Sequence, residues 1–156
     1  MQDLPWIEQV ELFRVFPDRI VVNITERDPV ARMADKALVS QKGVLFYPED
    51  YALWQDLPFL DVDRGDAELA FSALQTVRQI GLGEGNHAYP VQSVRFNVVN
   101  GWDIRFSNAL LVRLGRGDFN HLYTRFCAYY PLILHGNRYV VPHKIDMRYA
   151  HGAAVS

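Results

Sequence analysis

The sequence predicts an α+β fold, an antiparallel β-sheet with helices packed on one face. Short segments alternate apolar and polar residues between turn-forming residues, which is typical of half-buried strands. Two longer segments space their apolar residues three and four apart, which is typical of amphipathic helices. The chain has 156 residues, 49% hydrophobic and 13% aromatic, enough for the core of one domain with a small appendage.

A β-hairpin is predicted near the N-terminus. Its strands run over residues 7–16 and 20–25, and the second strand places apolar residues at alternate positions. Pro17 favours a turn between them, and Pro29 ends the second strand because proline cannot donate to a sheet. Two strands alone are marginally stable in water, so we expect this hairpin to belong to a larger domain that begins further upstream.

The following segments favour a second small hairpin and then a helix. Apolar residues at 38–39 and 44–46 flank a polar turn, and a connection bounded by prolines follows over 47–58. The helix is predicted between Asp66, a suitable N-cap, and Gly81, a suitable C-terminal stop. Its apolar residues recur at helical spacing and predict one face packed on the sheet.

A three-stranded meander is predicted next, with strands over 94–98, 102–106 and 110–114. Asn100-Gly101 predicts a type I′ turn between the first two strands, and Ser107-Asn108 predicts a second turn.

Asp118 is a suitable cap for a second helix, and Pro131 is expected to end it soon after the last of its aromatic residues. Those aromatic residues lie on one broad stripe, which favours a core face over a cofactor site. A final strand over about 139–149 completes the predicted sheet. The stripe consists of Phe119, Leu122, Tyr123, Phe126, Tyr129 and Tyr130.

The C-terminal segment 144–155 predicts a strand, a kink at a glycine and a short apolar tail. Ile145, Met147 and Tyr149 fall on one face of that strand, and Asp146 and Arg148 fall on the other. A terminal strand at the edge of a sheet leaves one row of N–H and C=O groups unpaired, so it is either an aggregation hazard or a docking surface.

Composition and motifs argue against several classes of function. A net charge of −2 argues against a nucleic-acid-binding protein. The glycine-rich segment 81–85 follows a helix and lacks the lysine of a phosphate-binding loop, so we interpret it as an ordinary loop. The five histidines lack metal-ligand spacing, and Cys127 is the sole cysteine. A small enzyme that uses Cys127 or a histidine stays open as an alternative, without a local signature to support it.

Several motifs in consistent order resemble the FtsQ/DivIB family of bacterial cell-division proteins. The resemblance runs from Leu4 nearly to Val155 and is thin between Tyr47 and Val91. The early motifs are Leu4-Pro5-Trp6-Ile7, Gln9-Val10, Pro17-Asp18 and Pro29-Val30-Ala31-Arg32. The later ones are Leu114-Gly115-Arg116-Gly117-Asp118, Arg125-Phe126, Tyr130-Pro131, Ile145-Asp146-Met147-Arg148-Tyr149 and Gly152-Ala153-Ala154-Val155.

The resemblance implies that residues 1–32 are the C-terminal part, the closing hairpin, of a POTRA domain and that 33–156 form the β domain. It implies the periplasmic domains of a single-pass inner-membrane protein at the division septum, with the transmembrane helix outside this chain. It implies no catalysis and no cofactor or metal. The implied role is a divisome scaffold that binds the FtsB–FtsL pair, with other divisome members as possible partners, and links it to septum assembly.

In this family the partner adds a strand beside the C-terminal strand and contacts the helix before it. Carried over by motif, Arg116 pairs with a partner carboxylate, and Arg148, Tyr149, His151 and Gly152 are the edge-strand positions that meet the partner. Tyr149 is the expected hot spot, with core packing as the alternative role.

Two departures from the family predict weaker partner binding. His151 replaces a small polar residue, and relatives place a tryptophan just beyond the position of Ser156. The alternative binding function is a POTRA-type peptide-binding or translocation module, which the N-terminal hairpin alone would allow.

Overall fold

The computed structural model describes residues 4–82, 89–136, 142–149 and 152–156. The chain divides into two compact units, Met1–Leu57 and Pro58–Ser156.

The first unit begins with the predicted hairpin, which the structure confirms. Strands β1 (Ile7–Val15) and β2 (Arg19–Glu26) pair antiparallel over their whole length. Both strands are largely exposed. The register places Val10 beside Ile24 and Leu12 beside Val22, so one face of the hairpin is apolar yet open to solvent.

Three short strands complete the first unit, β3 (Pro29–Met33), β4 (Leu38–Ser40) and β5 (Leu45–Phe46). β4 and β5 form the predicted second hairpin, and β3, which the sequence pattern did not reveal, pairs antiparallel with β4. Trp6 packs against Phe46 and Trp54, with ring centroids 5.2 and 5.5 Å away, and so joins the start of the chain to the predicted connection.

Within the described residues, the second unit contains two α-helices and six strands of one sheet. The strands hydrogen-bond in the order β11-β10-β9-β8-β7-β6. Their bounds are β6 (Phe59–Asp61), β7 (Val91–Asn97), β8 (Gly101–Phe106), β9 (Leu111–Gly115), β10 (Lys144–Asp146) and β11 (Ala154–Val155).

The α+β class and the central meander β7-β8-β9 are confirmed, but the sheet is mixed rather than wholly antiparallel. β6 pairs parallel with β7, and β10 pairs parallel with β9. The reason is the connection between each pair. Both pairs are joined through a helix, and a crossover of this kind returns the chain in the same direction.

Helix α1 (Ala67–Ile80) begins and ends where predicted, although its cap differs in detail. Asp66 occupies the N-cap position, yet its side chain makes no capping hydrogen bond because the residue closes a short 3₁₀ turn, Arg64–Asp66. Gly81 follows the helix with a φ of 72°, a conformation that glycine adopts without steric cost.

Helix α2 (Phe119–Gly136) is capped by Asp118, whose Oδ1 accepts a hydrogen bond from the His121 amide at 2.9 Å. The prediction that Pro131 ends this helix is wrong, because Pro131 lies inside it. Pro131 removes one N–H from the helical ladder and crowds the preceding turn, and the turn after it gains a side-chain bond. The His135 ring N–H donates to the Pro131 carbonyl at 2.7 Å.

The core lies between the helices and one face of the sheet. Phe119, Tyr123, Phe126 and Tyr130 of the aromatic stripe are buried, which confirms their predicted role, whereas Tyr129 is exposed. Beneath them a fully buried apolar row crosses five strands in register, and we call it the core row. It consists of Leu60, Val94, Ile104, Val112 and Ile145.

Two predictions about the ends of strands are wrong. The loop between β7 and β8 is not a type I′ turn on Asn100-Gly101, since of these two residues only Gly101 has a positive φ. The loop holds three residues between the paired Asn97 and Gly101, and the Asn97 side chain closes it by accepting from the amides of residues 99 and 100.

The final strand is also shorter than predicted. Residues 139–141 of the prediction lie outside the described residues, and β10 ends at Asp146. The Met147 amide still bonds to the Arg113 carbonyl, but the Asp146 carboxylate then captures the Arg148 amide and turns the chain away. Tyr149 therefore leaves the buried face that strand alternation predicted for it and is 58% exposed.

Replacing Phe126 with alanine should lower the free energy of unfolding by about 3–5 kcal/mol, because it opens a cavity under the core row. Tyr129→Ala, one turn away on the exposed side, should cost less than about 1 kcal/mol. Urea denaturation followed by circular dichroism measures both. Equal costs for the two variants would contradict this assignment of the core face.

Candidate partner-binding surface

The end of β9, the first turns of α2 and the segment after β10 enclose an open groove of about 380 Å³, which we call the arginine groove. Apolar side chains contribute to its lining, and three arginines stand around it. The lining residues are Val99, Asn100, Leu114, Gly115, Arg116, Leu122, Arg125, Met147 and Arg148.

Arg116 is the arginine that is open to a partner. It follows β9 between Gly115 and Gly117, which have φ values of 87° and 137° and so let the chain turn sharply into α2. The side chain is exposed and makes no hydrogen bond or ion pair within the described part of the chain. A guanidinium in this state can take a carboxylate in a bidentate pair.

Gly101 allows the backbone of β8 to meet that of β9 beside Arg116. A Cβ built on Gly101 would lie 2.1 Å from the carbonyl carbon of Gly115 and 2.5 Å from the Arg116 nitrogen. No side chain fits there. The position of Arg116 thus depends on the absence of a side chain at residue 101, in the neighbouring strand.

Arg148 is held by Asp146. The Arg148 Nε and Nη2 donate to the two oxygens of the Asp146 carboxylate, with the shortest distance 2.6 Å, and the Arg148 amide donates to the same carboxylate at 3.2 Å. Asp146 is only 5% exposed. These hydrogen bonds hold the pKa of Asp146 below its ordinary value, against the opposing effect of burial.

The backbone of Tyr149 is held in place by a hydrogen bond, whereas its side chain is exposed. Arg125 Nη2 donates to the Tyr149 carbonyl at 2.9 Å, and the same guanidinium lies 5.9 Å from the ring centre of Tyr129. The aromatic ring of Tyr149 is therefore presented to solvent from an anchored segment. Such a ring is a common anchor in protein interfaces.

The structure brings together three of the five predicted site residues. Arg116 and Arg148 line the arginine groove, and Tyr149 adjoins it through Arg125. His151 lies outside the described residues. Gly152 is described, but a Cβ there would meet nothing within 4 Å, so packing does not explain this glycine.

Arg125 is the residue that sequence reasoning missed as part of the site. It occurs in a motif that carried the family resemblance, but its role depends on where α2 lies relative to the turn after β10. The signal available from the sequence was the charge of Arg125 on a helix rich in aromatic residues. Such a charge also fits a helix face that only contacts solvent, so it did not identify a site residue.

The open edge of the sheet is β11, not the segment 144–149 that the sequence predicted. β11 pairs antiparallel with β10, and Ser156 exchanges both backbone bonds with Lys144. Backbone groups alternate in direction along an antiparallel strand, so the N–H and C=O of Val155 point away from β10. Among the described strands of this unit β11 is the last in the order, and this edge can accept a further strand.

The described residues contain no cluster of three or more histidine, cysteine, aspartate or glutamate side chains that could hold a metal ion. Cys127 is partly buried, with its Sγ 3.9 Å from the Gly81 carbonyl oxygen, and burial raises the pKa of the thiol. A raised thiol pKa lowers the thiolate fraction at neutral pH. No helix within the described ranges is both long and apolar enough to cross a membrane.

A charged groove, an open strand edge and an exposed tyrosine are features common to protein-binding surfaces. The chain belongs to the FtsQ/DivIB family: the family model for the C-terminal part of the cell division protein FtsQ/DivIB matches residues 30–148. A second model, the FtsQ-type POTRA domain, matches residues 1–27.

Relatives agree over nearly the whole chain. It is 30% identical to the cell division protein FtsQ of Escherichia coli over 160 residues, which cover 99% of this chain and 56% of that protein. It is 26% identical to FtsQ of Coxiella burnetii, over 99% of this chain and 62% of that protein. It is 29% identical to FtsQ of a Thioalkalivibrio strain, over 100% of this chain and 63% of that protein. The chain thus spans less than two thirds of these relatives.

Replacing Gly101 with alanine should destabilise the fold by at least about 1–3 kcal/mol, because the new methyl group overlaps the Gly115 backbone. Gly65→Ala is the matched control, since a Cβ there meets nothing within 4 Å. Thermal denaturation measures both. Two variants of equal stability would contradict the close approach of β8 and β9.

Asp146 should make stability depend on pH in acid. Its folded-state pKa lies below its ordinary value of 3.8, so its carboxylate stabilises the fold above about pH 4, and this contribution is lost as the pH falls through the lower folded value. Urea midpoints of wild type and Asp146→Asn should therefore differ at pH 6 and converge towards pH 2–3. A difference that stays constant over this range would rule out the predicted linkage.

Proposed function

We propose that this chain forms the periplasmic part of a non-enzymatic division scaffold, anchored to the inner membrane by a helix outside the chain and located at the septum. In this proposal residues 1–32 are the end of a POTRA domain and 33–156 are the β domain. The scaffold binds the FtsB–FtsL pair and links it to septum assembly. Family membership supports the role in cell division.

The observation that carries the proposal is an exposed arginine without a partner in the described residues, beside an open strand edge in the same unit. Arg116 offers a carboxylate site at one end of the arginine groove. Val155 offers an outward N–H and C=O to an added strand. Tyr149, which lies between Arg116 and Val155 in the sequence, offers a hydrophobic anchor. Strand addition of this kind gains affinity from backbone bonds and specificity from side chains.

Tyr149 and Arg116 are expected to contribute differently to the free energy of binding. Tyr149 is aromatic and held at its backbone, so its truncation should cost about 2 kcal/mol or more, close to thirtyfold in affinity. Arg116 is solvent-exposed, and its pair with a carboxylate should contribute at most about 1 kcal/mol. Reversing its charge adds repulsion to that loss, so Arg116→Glu is a more severe change than Arg116→Ala.

Titration with the purified periplasmic segments of an FtsB–FtsL pair tests the proposal. Tyr149→Ala and Arg116→Glu should each weaken binding at least tenfold, while Arg78→Glu, the same charge change on the exposed side of helix α1, should leave it within about twofold. Circular dichroism of each variant checks that folding is retained. Binding that is absent, or that ignores both changes at the groove, would overturn the proposal.

One further variant separates the proposal from its POTRA alternative. Leu12 lies on the open apolar face of the β1–β2 hairpin, and Leu12→Asp would disrupt a peptide site there. The scaffold proposal expects FtsB–FtsL binding to survive this change. Loss of binding in Leu12→Asp but not in Tyr149→Ala would favour the peptide-binding POTRA module.

A further inference from the structure

The face of the sheet that points away from the core row carries alternating charges across five strands. Asp61 pairs in register with Arg95, Arg95 with Asp103, Asp103 with Arg113, and Arg113 with Asp146. We call these five residues the charge row. Opposite charges directly across neighbouring strands attract each other, so the row stabilises the register that it occupies.

The carboxylates of the charge row are already engaged. Arg95 Nε lies 2.5 Å from Asp61 Oδ2, Asp146 is held by Arg148, and Arg113 Nε lies 3.8 Å from Asp103 Oδ2. The last contact is too long for a hydrogen bond, and Arg113 Nε is buried without a hydrogen-bond partner among the described residues. Arg113 therefore retains unused donor capacity.

The neighbouring row on the same face adds cations without adding carboxylates. Its register runs from Ser93 to Arg105, from Arg105 to Leu111, and from Leu111 to Lys144. Arg105 is exposed and makes no hydrogen bond or ion pair within the described residues. Counting both rows and Arg148, five cations face three carboxylates, so this face has a charge of +2 although the whole chain has a charge of −2.

Two shallow pits of about 140 Å³ each open on this face, and both are lined by Arg95, Asp103 and Arg113. Burial in the pits raises the pKa of Asp103 in spite of the nearby arginines. The pits are therefore partly shielded from water, which strengthens charge pairing inside them.

We propose that this face is a second docking surface, which shares Arg148 with the arginine groove and takes an extended acidic segment of a protein partner. Arg105 and Arg113 are diagonal neighbours on adjacent strands, as are Arg113 and Lys144, and such neighbours lie about 7–8 Å apart. Alternate side chains of an extended peptide repeat at about 6.4–6.8 Å. Carboxylates at two alternate residues of a partner thus match either diagonal pair, Arg105 with Arg113 or Arg113 with Lys144. Arg105 and Lys144 themselves lie in one row, two strands and about 9.4–9.8 Å apart, so one extended segment uses one diagonal pair at a time.

The fixed carboxylates favour a peptide over an anionic membrane. Asp61, Asp103 and Asp146 would repel a continuous layer of negative headgroups, whereas a peptide can place its carboxylates between them. The alternating charges would also reject acidic segments of the wrong spacing.

Calorimetric titration at low salt with a short peptide of alternating glutamate and threonine tests the inference on the whole chain. The double variant Arg105→Ala, Lys144→Ala removes one cation from each diagonal pair and should weaken binding about fivefold, the upper range for one charge contact at the surface. The pair Arg64→Ala, Arg78→Ala removes the same charge from exposed sites in the helical segments of the same unit and should change affinity less than twofold. A peptide with the same glutamates in helical spacing should bind more weakly.

The remaining outcomes overturn the inference. Absence of peptide binding would show that this face is not a docking surface. Equal losses in the two double variants would show that the peptide is attracted by charge alone, without a specific site. Binding to phosphatidylglycerol vesicles that depends on Arg105 and Lys144, without peptide binding, would make a membrane the occupant. Neither target residue lines the arginine groove, so Tyr149→Ala should leave peptide binding unchanged, and failure here would not bear on FtsB–FtsL binding.

Discussion

The register of the sheet in the second unit is the constraint on which the rest of that unit depends. Leu60, Val94, Ile104, Val112 and Ile145 are each fully buried and lie side by side beneath the helices. Side chains alternate between faces, so burying this row places the charge row on the opposite face of the sheet, away from the core. A slip by one residue in a central strand would bury charges such as those of Asp103 and Arg113 instead, at a cost far above that of any surface pair.

The arginine groove follows from the same register with two local devices. The absence of a side chain at Gly101 lets β8 and β9 meet where Arg116 leaves the sheet, and its absence at Gly115 leaves room for the Arg148 side chain. After β10, Asp146 turns the chain by binding Arg148, and Arg125 then fixes the carbonyl of Tyr149. A partner would therefore meet groups that are already held in place, which reduces the ordering cost of binding.

Local patterns predicted the elements well, and non-local contacts explain the errors. The hairpins, both helices and the central meander follow from alternation, helical spacing and turn residues. The parallel pairs β6–β7 and β9–β10 were implied by the helices that connect them but were not inferred. The exposure of Tyr149 depends on the Asp146–Arg148 pair, and the site role of Arg125 depends on a contact across 24 residues, so alternation along one strand could reveal neither. The resemblance to the family pointed to Arg116 and Arg148 where periodicity alone indicated only exposed charge.

In the proposed complex, one partner adds a strand to the edge at β11 and at the same time binds in the arginine groove. Hydrogen–deuterium exchange of the chain, with and without the FtsB–FtsL pair, measures this most directly because strand addition protects backbone amides. We expect slower exchange at residues 153–156 and 115–118 in one and the same complex. Protection confined to the β1–β2 hairpin, or spread over the charge row while the amide of Val155 exchanges as before, would contradict the claim.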